Sequence, residues 1–134
     1  MSRTVFTGGT TFFEGIDAIG YEGPDSDNRL AFKAYDPTRV VAGKTLEEHL
    51  RFAVCYWHTF CGTGLDPFGP GTRVFPWDAS SDSMTAAMHK LDAAFEFFSK
   101  LGVPYYCFHD VDMAPEGASV NASEANLATM VDAA

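Results

Sequence analysis

The densest group of chemically reactive side chains lies in "CFHDVDMAPEG", residues 107–117. One imidazole, His109, and three carboxylates, Asp110, Asp112 and Glu116, follow an apolar segment that is typical of a strand. A carboxylate on one imidazole nitrogen holds the ring in one tautomer and makes the other nitrogen a better base. Because Asp112 comes three residues after His109, it can turn back onto the ring. The spacing therefore makes this pair a candidate for proton transfer.

The same residues have two other interpretations. Asp110, Asp112 and Glu116 carry the oxygen ligands that hard divalent cations prefer, although their spacing matches no EF-hand. Alternatively, His109 is a strand-end histidine in a solvated acidic loop without chemistry. The spacing of these residues is compatible with all three interpretations.

A second group lies in "AVCYWHTF", residues 53–60, whose β-branched and aromatic residues predict a buried strand. Alternation along that strand places Trp57 and His58 on opposite faces. A histidine in an apolar strand is typically a hydrogen-bonded core residue, and contact with a ligand is the alternative for His58. Trp57 either packs in the core or offers a flat aromatic face to a sugar.

The loop at 61–78 is rich in Gly and Pro, and long ordered loops are commonly functional or interfacial. Its "DPFG", residues 66–69, is a turn signal that exposes Phe68. We expect that ring to dock on another surface.

The remaining periodicity places these groups on a simple framework. Thr45 and Glu48 form a capping box at the start of a short helix. A second helix is predicted over 83–102, with Ser83 as its cap, Gly102 as its stop and an apolar stripe. That stripe comprises Met84, Met88, Leu91, Phe95 and Phe98. A second strand over 103–109 and a third helix over 121–134 complete the order.

This order indicates an α/β protein in which two parallel strands are joined by a helical crossover. Residues 1–43, with many turns and no sustained period, are predicted to form an irregular arm, and residues 44–134 the folded domain. Two parallel strands leave open edges, so we expect copies of the chain to associate. The aromatic-rich arm is expected to lie across another surface, such as a neighbouring subunit.

Size and charge restrict the class of function. The 134 residues fit one domain, and 46% of them are hydrophobic, enough for a core. A net charge of −9 repels phosphate backbones, so we expect no nucleic-acid partner. No apolar run approaches the roughly 18 residues of a membrane helix, and no signal-peptide pattern is present. We expect no membrane partner and a cytoplasmic location.

The three cysteines, Cys55, Cys61 and Cys107, have no CxxC spacing. Cys55 and Cys107 lie in the two predicted strands and are expected to be small buried hydrophobes. A thiol nucleophile would need a partnered base, which the sequence does not indicate.

Several stretches together resemble the amino-terminal part of the xylose isomerases, in the branch with a long amino-terminal arm. They are "YEGPDSDN" (21–28), "VVAGKTLEEHLRFAVCYWHTFCGTGLDPFGPGT" (40–72), "DAAFEFFSKLGVPYYCFHDVDMAPEG" (92–117) and "MVD" (130–132), and they run in family order. The resemblance implies the first two strands and flanking helices of a TIM barrel, completed by association into a homodimer or homotetramer.

The resemblance also implies roles for individual residues. His109 matches the histidine that assists opening of the cyclic sugar, and Asp112 its orienting carboxylate. Trp57 matches an aromatic wall of the sugar site. Phe68 matches the phenylalanine that a neighbouring subunit inserts into the active site.

The implied activity is a metal-dependent conversion of the aldose D-xylose to D-xylulose, with D-glucose to D-fructose as a further reaction. The implied cofactor is a divalent cation, Mg²⁺, Mn²⁺ or Co²⁺, but the family's ligand-bearing strands and its supporting lysine are absent. A TIM barrel typically needs about 250 residues. The alternative is therefore an inactive truncated isomerase that binds sugar or other subunits. A cation-binding protein unrelated to sugars is a third possibility.

Overall fold

The computed structural model of the chain describes residues 5–134, and its regular elements are short. In chain order they are β1 (Val40–Val41), β2 (Lys44–Thr45), α1 (Leu46–His49), β3 (Ala53–Cys55), a π-helical turn (Trp57–Cys61), a 3₁₀ turn (Pro76–Ala79), α2 (Ser83–Leu101), β4 (Tyr105–Cys107), α3 (Asp110–Met113) and α4 (Val120–Ala133). No helix within these residues has both the length and the apolar character needed to cross a membrane.

The predicted parallel pair is present. β3 and β4 are hydrogen-bonded in parallel, with Ala53 facing Tyr105 and Cys55 facing Cys107, and α2 lies between them in the chain. Each strand has only three residues, shorter than the predicted spans 53–60 and 103–109. The fold is thus a small α/β fragment with short parallel and antiparallel strands.

Helix α2 supports this sheet and is the longest element of the described chain. Its stop is as predicted, because Gly102 adopts a left-handed φ of 72°. Its cap is not Ser83 but Asp82, whose Oδ2 accepts a hydrogen bond from the Thr85 amide at 2.8 Å. An aspartate one residue earlier reaches the free amide donors of the first turn better than a residue already inside the helix.

The predicted stripe of α2 faces the core except at Met88. Leu91 and Phe98 are buried together with Ala87 and Ala94, Met84 and Phe95 are partly buried against the core, and Met88 is exposed. The alanines allow the helix to approach the neighbouring 3₁₀ turn closely, which places Met88 at the rim.

The prediction of a strand over 53–60 is wrong for its second half. After Cys55 the chain turns into the π-helical segment, because Phe60 is drawn into the aromatic core beside Trp77 at 5.6 Å and Phe98 at 5.8 Å. The Trp77 indole donates a buried hydrogen bond of 3.1 Å to the Phe60 carbonyl. These tertiary contacts outweigh the strand propensity of an aromatic run.

Part of the arm lies on helix α2 of the same chain. The Glu96 carboxylate of α2 accepts hydrogen bonds from the amides of Phe12 at 2.7 Å and Phe13 at 3.3 Å. The Lys100 ammonium donates to the Phe13 carbonyl at 2.5 Å and pairs with Glu96 at 2.6 Å. Phe12 and Phe13 are partly buried against the core, whereas Tyr21 and Leu30 of the arm remain exposed.

A hairpin of β1 and β2 spans the predicted boundary between residues 43 and 44. Its turn uses Ala42 and Gly43, both with positive φ, as two-residue hairpins require. The Thr45–Glu48 capping box that follows is present as predicted. The assignment of 1–43 and 44–134 to an arm and a domain stays a prediction.

Candidate active site

The candidate site lies where β3 and β4 end. Trp57 follows Cys55 by two residues on one strand, and His109 follows Cys107 by two residues on the other. Since Cys55 and Cys107 face each other in the sheet, the parallel register carries Trp57 and His109 to the same edge. Their ring centroids are 6.1 Å apart, with the ring planes inclined at 67°.

His109 and Asp112 form the expected contact. His109 precedes α3, a single helical turn that the acidic pattern did not predict and that brings Asp112 back beneath it. Asp112 Oδ2 lies 2.9 Å from His109 Nδ1 and accepts the His109 backbone amide at 2.8 Å. Because an ionised carboxylate only accepts hydrogen bonds, we assign the ring proton to Nδ1 and the lone pair to Nε2.

The two partners differ sharply in their surroundings. The Asp112 side chain is only 8% exposed, whereas that of His109 is 66% exposed. The ring is thus held from the buried side, and Nε2 faces the open edge of the sheet. This arrangement can accept or deliver a proton at a bound molecule.

Two residues support Asp112 from below: Cys61, and Lys90, which the sequence patterns did not single out. The Asp112 main-chain carbonyl lies 3.5 Å from the Lys90 ammonium and 3.8 Å from the Cys61 thiol. Burial raises the pKa of Cys61 although Lys90 opposes this shift. Lys90 lies next to Leu91, which belongs to the apolar face of α2. A lysine beside that face was the sequence signal that could have indicated its contact with the site.

Tyr56 lies in the same buried region. It is fully buried, and its hydroxyl has no hydrogen-bond partner within residues 5–134. Burial is the largest cause that raises the pKa of Tyr56, and the nearby Cys61 and Asp112 raise it further. The hydroxyl is therefore a neutral group under the site.

Trp57 and His58 do not occupy opposite faces of a strand. They are consecutive residues of the π-helical turn, their ring centroids are 3.8 Å apart, and both are exposed. The prediction of His58 as a core residue is wrong, because the strand ends before it. Trp57, 45% exposed and beside His109, presents an aromatic wall at the site.

Phe68 stands apart from this group. The predicted turn is present, with the Phe68 amide donating to Asp66 Oδ1 at 2.8 Å. The Phe68 side chain is 96% exposed, so the described chain gives it no packing surface. The expectation of an exposed ring is confirmed, and its docking partner stays a prediction.

The acidic residues do not form a cation site in this arrangement. Within residues 5–134, no group of three or more His, Cys, Asp or Glu side chains is placed to hold a metal ion. Asp110 and Glu116 line a cavity of about 470 Å³ between α3 and α4, but Asp112 does not line it. Since Asp112 Oδ2 is already engaged by His109, the residues present do not fit the implied divalent cation.

A larger cavity, about 1220 Å³, lies at the opposite ends of the strands. Ala53 and Tyr105 line it together with the arm and α1, and His109 does not. It is therefore separate from the candidate site.

The chain is similar over nearly its whole length to proteins named xylose isomerase. Xylose isomerase 2 of Xanthomonas campestris pv. campestris is 62% identical over 131 residues, which are 98% of this chain and 29% of that protein. The xylose isomerase of Xanthomonas oryzae pv. oryzae is 57% identical over 134 residues, 100% of this chain and 30% of that protein. The chain is similar to the xylose isomerase family over the stretch that it covers.

Within that family the chain corresponds to an amino-terminal portion. A xylose isomerase of Xanthomonas axonopodis pv. citri, 56% identical over 130 residues, gives the same coverage of 97% of this chain and 30% of the relative. The chain therefore spans less than a third of the length of these relatives. No family model matches the sequence.

Proposed function

We propose that this chain supplies the groups that open the sugar ring in a xylose isomerase, which converts D-xylose to D-xylulose. The observation that supports the proposal is the His109–Asp112 contact at 2.9 Å, with the acid buried and the imidazole exposed. The similarity to xylose isomerases supplies the substrate class.

Ring opening of a cyclic aldose needs one proton removed from the O1 hydroxyl and one delivered to the ring oxygen. In the assigned tautomer, His109 Nε2 takes the O1 proton while Nδ1 keeps its bond to Asp112. The Asp112 carboxylate stabilises the imidazolium that forms, and the same imidazolium can return the proton to the ring oxygen. Asp112 accepts the His109 backbone amide as well, so its orientation is set before the sugar binds.

Trp57 is proposed to form one wall of the sugar site. Its face is exposed beside His109, and flat aromatic surfaces pack against the C–H groups of sugars. His58, exposed on the same turn, is proposed to contact the sugar from the next position. Phe68 is proposed to enter the site of a second subunit, which accounts for a phenylalanine held almost free of contact.

The rest of the enzyme is also a proposal. Xylose isomerases are a TIM-barrel family, and β3 and β4 are proposed as its first two barrel strands, with a homodimer or homotetramer as the assembled form. Since the described residues do not fit a divalent cation, we infer that Mg²⁺, Mn²⁺ or Co²⁺ would be held by residues that this part of the chain does not provide. Bound there, the cation would polarise the sugar oxygens.

The ring-opening step can be tested without the cation. Interconversion of the α and β anomers of D-xylose proceeds through the open chain, and it can be followed by proton NMR after dissolving one anomer. We expect the wild-type chain to accelerate this interconversion and His109→Ala to lose the acceleration. His49→Ala, which removes an exposed histidine of α1, is the matched control. Equal rates for wild type and His109→Ala would reject the proposed role of His109.

The complete reaction needs a separate measurement. Xylulose formation from xylose is measured with added Mg²⁺, Mn²⁺ or Co²⁺, on wild-type protein and His109→Ala purified identically. Turnover that is lost in the variant supports an active assembly of this chain. Equal turnover in both proteins points to contaminating host enzyme.

The second candidate function is an inactive sugar-binding or assembly module. It is favoured by the lack of a metal-ligand group within residues 5–134. In this case xylose binding is detectable by calorimetry, and xylulose does not form with any of the three cations.

A further inference from the structure

Two of the three cysteines form a rung of the parallel sheet. Cys55 and Cys107 are direct partners in the β3–β4 register, both are free thiols, and the Cys107 thiol donates a hydrogen bond of 3.9 Å to the carbonyl of Val54, the residue before Cys55. Cys107 is exposed and Cys55 is half-buried, so the expectation that both are buried hydrophobes is wrong for Cys107. The short sheet leaves its face uncovered at this rung.

The geometry of the rung matches the requirements of a disulfide. Neighbouring strands lie about 4.7–4.9 Å apart, so residues directly opposite each other have Cα atoms near that separation. Disulfides form between Cα atoms about 4.4–6.8 Å apart. Opposite residues of a strand pair project from the same face of the sheet, and the Cys107 sulfur already reaches β3 at the Val54 carbonyl, 3.9 Å away. The backbone therefore needs little movement to bring the sulfurs together.

We propose that Cys55 and Cys107 are an oxidative modification site, converted by a small-molecule disulfide such as glutathione disulfide into a cross-strand disulfide. Cys61 takes no part, since its thiol lies beside Lys90 and the Asp112 carbonyl.

Exposure sets the order of the steps. Exposed Cys107 loses its proton and attacks one sulfur of the small disulfide, releasing one small thiol and leaving a mixed disulfide. Cys55, the half-buried partner, then loses its proton and attacks the Cys107 sulfur, which releases the second small thiol. Two protein thiols are oxidised, one small disulfide is reduced to two thiols, and the two released protons are taken up by the leaving thiolates.

The reduced form is the resting state. Partial desolvation and then the neighbouring Cys55 raise the pKa of the Cys107 thiol, which disfavours the thiolate and slows exchange. Once formed, the bond fixes the two strands at the point where they lead into Trp57 and His109. The cross-link itself does not depend on the proposed sugar chemistry.

The test uses the wild-type chain incubated under native conditions with glutathione disulfide. We expect a monomer that loses two hydrogen masses, and a single cross-linked peptide pair containing Cys55 and Cys107. Closing this long loop is expected to raise Tm by on the order of 10 °C, and dithiothreitol should reverse the rise. Cys61→Ser is the matched control and should give the same cross-link.

The single variants separate the two steps. Cys55→Ser should stop at one glutathione on Cys107, and Cys107→Ser should give no cross-link, while circular dichroism checks that both variants fold. Covalent dimers alone, a cross-link through Cys61, or a wild-type product that stays at the mixed disulfide would each overturn the proposal.

Discussion

Two carboxylates are buried in the described part of the chain, Glu96 and Asp112, and each pairs with a base a few residues away. The Glu96 pair is closed. Its partner Lys100 is also buried, and the hydrogen-bonding capacity of both is directed at the arm backbone. The Asp112 pair is open, because its partner His109 keeps one ring nitrogen at the exposed edge of the sheet.

The difference separates a structural ion pair from a candidate chemical one. A pair whose donors and acceptors are all used inside the protein can only hold elements together. A pair with one satisfied and one exposed nitrogen can transfer a proton. Burial of the acid is common to both pairs, so the exposure of its partner is what makes the Asp112 pair the candidate for chemistry.

The largest effect that we expect in a test of this difference is on the stability of the chain. Glu96→Gln leaves the buried Lys100 ammonium without its counter-ion, so we expect a loss of about 3 kcal/mol in the free energy of unfolding. Urea denaturation measures it, with Glu124→Gln on the exposed surface of α4 as the matched control. If both variants unfold at the same urea concentration, the Glu96 pair does not hold the arm.

The same carboxylate-to-amide substitution at the Asp112–His109 pair should affect proton transfer more than stability. Asp112→Asn removes the charged acceptor of His109 Nδ1–H, so we expect xylose anomer interconversion to slow by about 10²-fold. Nitrogen NMR of His109 should show the loss of the Nδ1–H tautomer. Unfolding free energy should change by no more than about 1 kcal/mol.

Asp110→Asn is the control for that experiment, since Asp110 is an exposed neighbour that does not touch the ring. A variant at Asp112 that keeps both the tautomer and the rate would remove the distinction between the two pairs.

The pH dependence of stability is a further test of the Glu96–Lys100 pair. Burial raises the pKa of Glu96, but hydrogen bonds from Lys100 and from the amides of Phe12 and Phe13 outweigh it, and the pKa lies below the ordinary 4.5. The stabilisation by Glu96 is therefore fully present above about pH 4.5 and is lost as the pH falls through the lowered value. The gap in stability between wild type and Glu96→Gln should close over that range.

Other carboxylates contribute equally to both proteins in this titration. Hydrogen bonds from Thr45 and Thr85 lower the pKa of Glu48 and Asp82, and these shifts cancel in the difference. A gap that is the same at pH 7 and in acid would show that the stabilisation does not come from the ionised carboxylate.

The smallest expected effect is at Phe68. Because this ring is 96% exposed, Phe68→Ser should change the unfolding free energy by less than about 0.5 kcal/mol. Thermal unfolding of the dilute monomer measures it. A larger loss would mean that the ring already packs within its own chain, contrary to the proposed role in a second subunit.

Features with short-range causes were predictable. The Thr45–Glu48 capping box, the Gly102 stop and the turn around Phe68 depend on residues within a few positions of each other. The His109–Asp112 contact belongs to the same class, since a spacing of three closes within one helical turn. The parallel pairing of β3 and β4 followed from the connection rule for a crossover helix.

Features with long-range causes were not predictable. The aromatic run at 53–60 has the composition of a strand, and only the packing of Phe60 beside Trp77 converts its second half to a π-helical turn. That change moved His58 from a predicted core position to the surface. The contact between the arm and α2 joins residues more than 80 positions apart in sequence, which no local pattern indicates.

By itself the sequence determined which chemical groups are present and which of them can meet locally: a histidine and an aspartate one turn apart, a cysteine in each strand, and a Glu–Lys pair on one helix. Tertiary structure decided which of these groups face water. Exposure depends on what other parts of the chain cover, so only the folded chain distinguishes the closed pair at Glu96 from the open pair at Asp112.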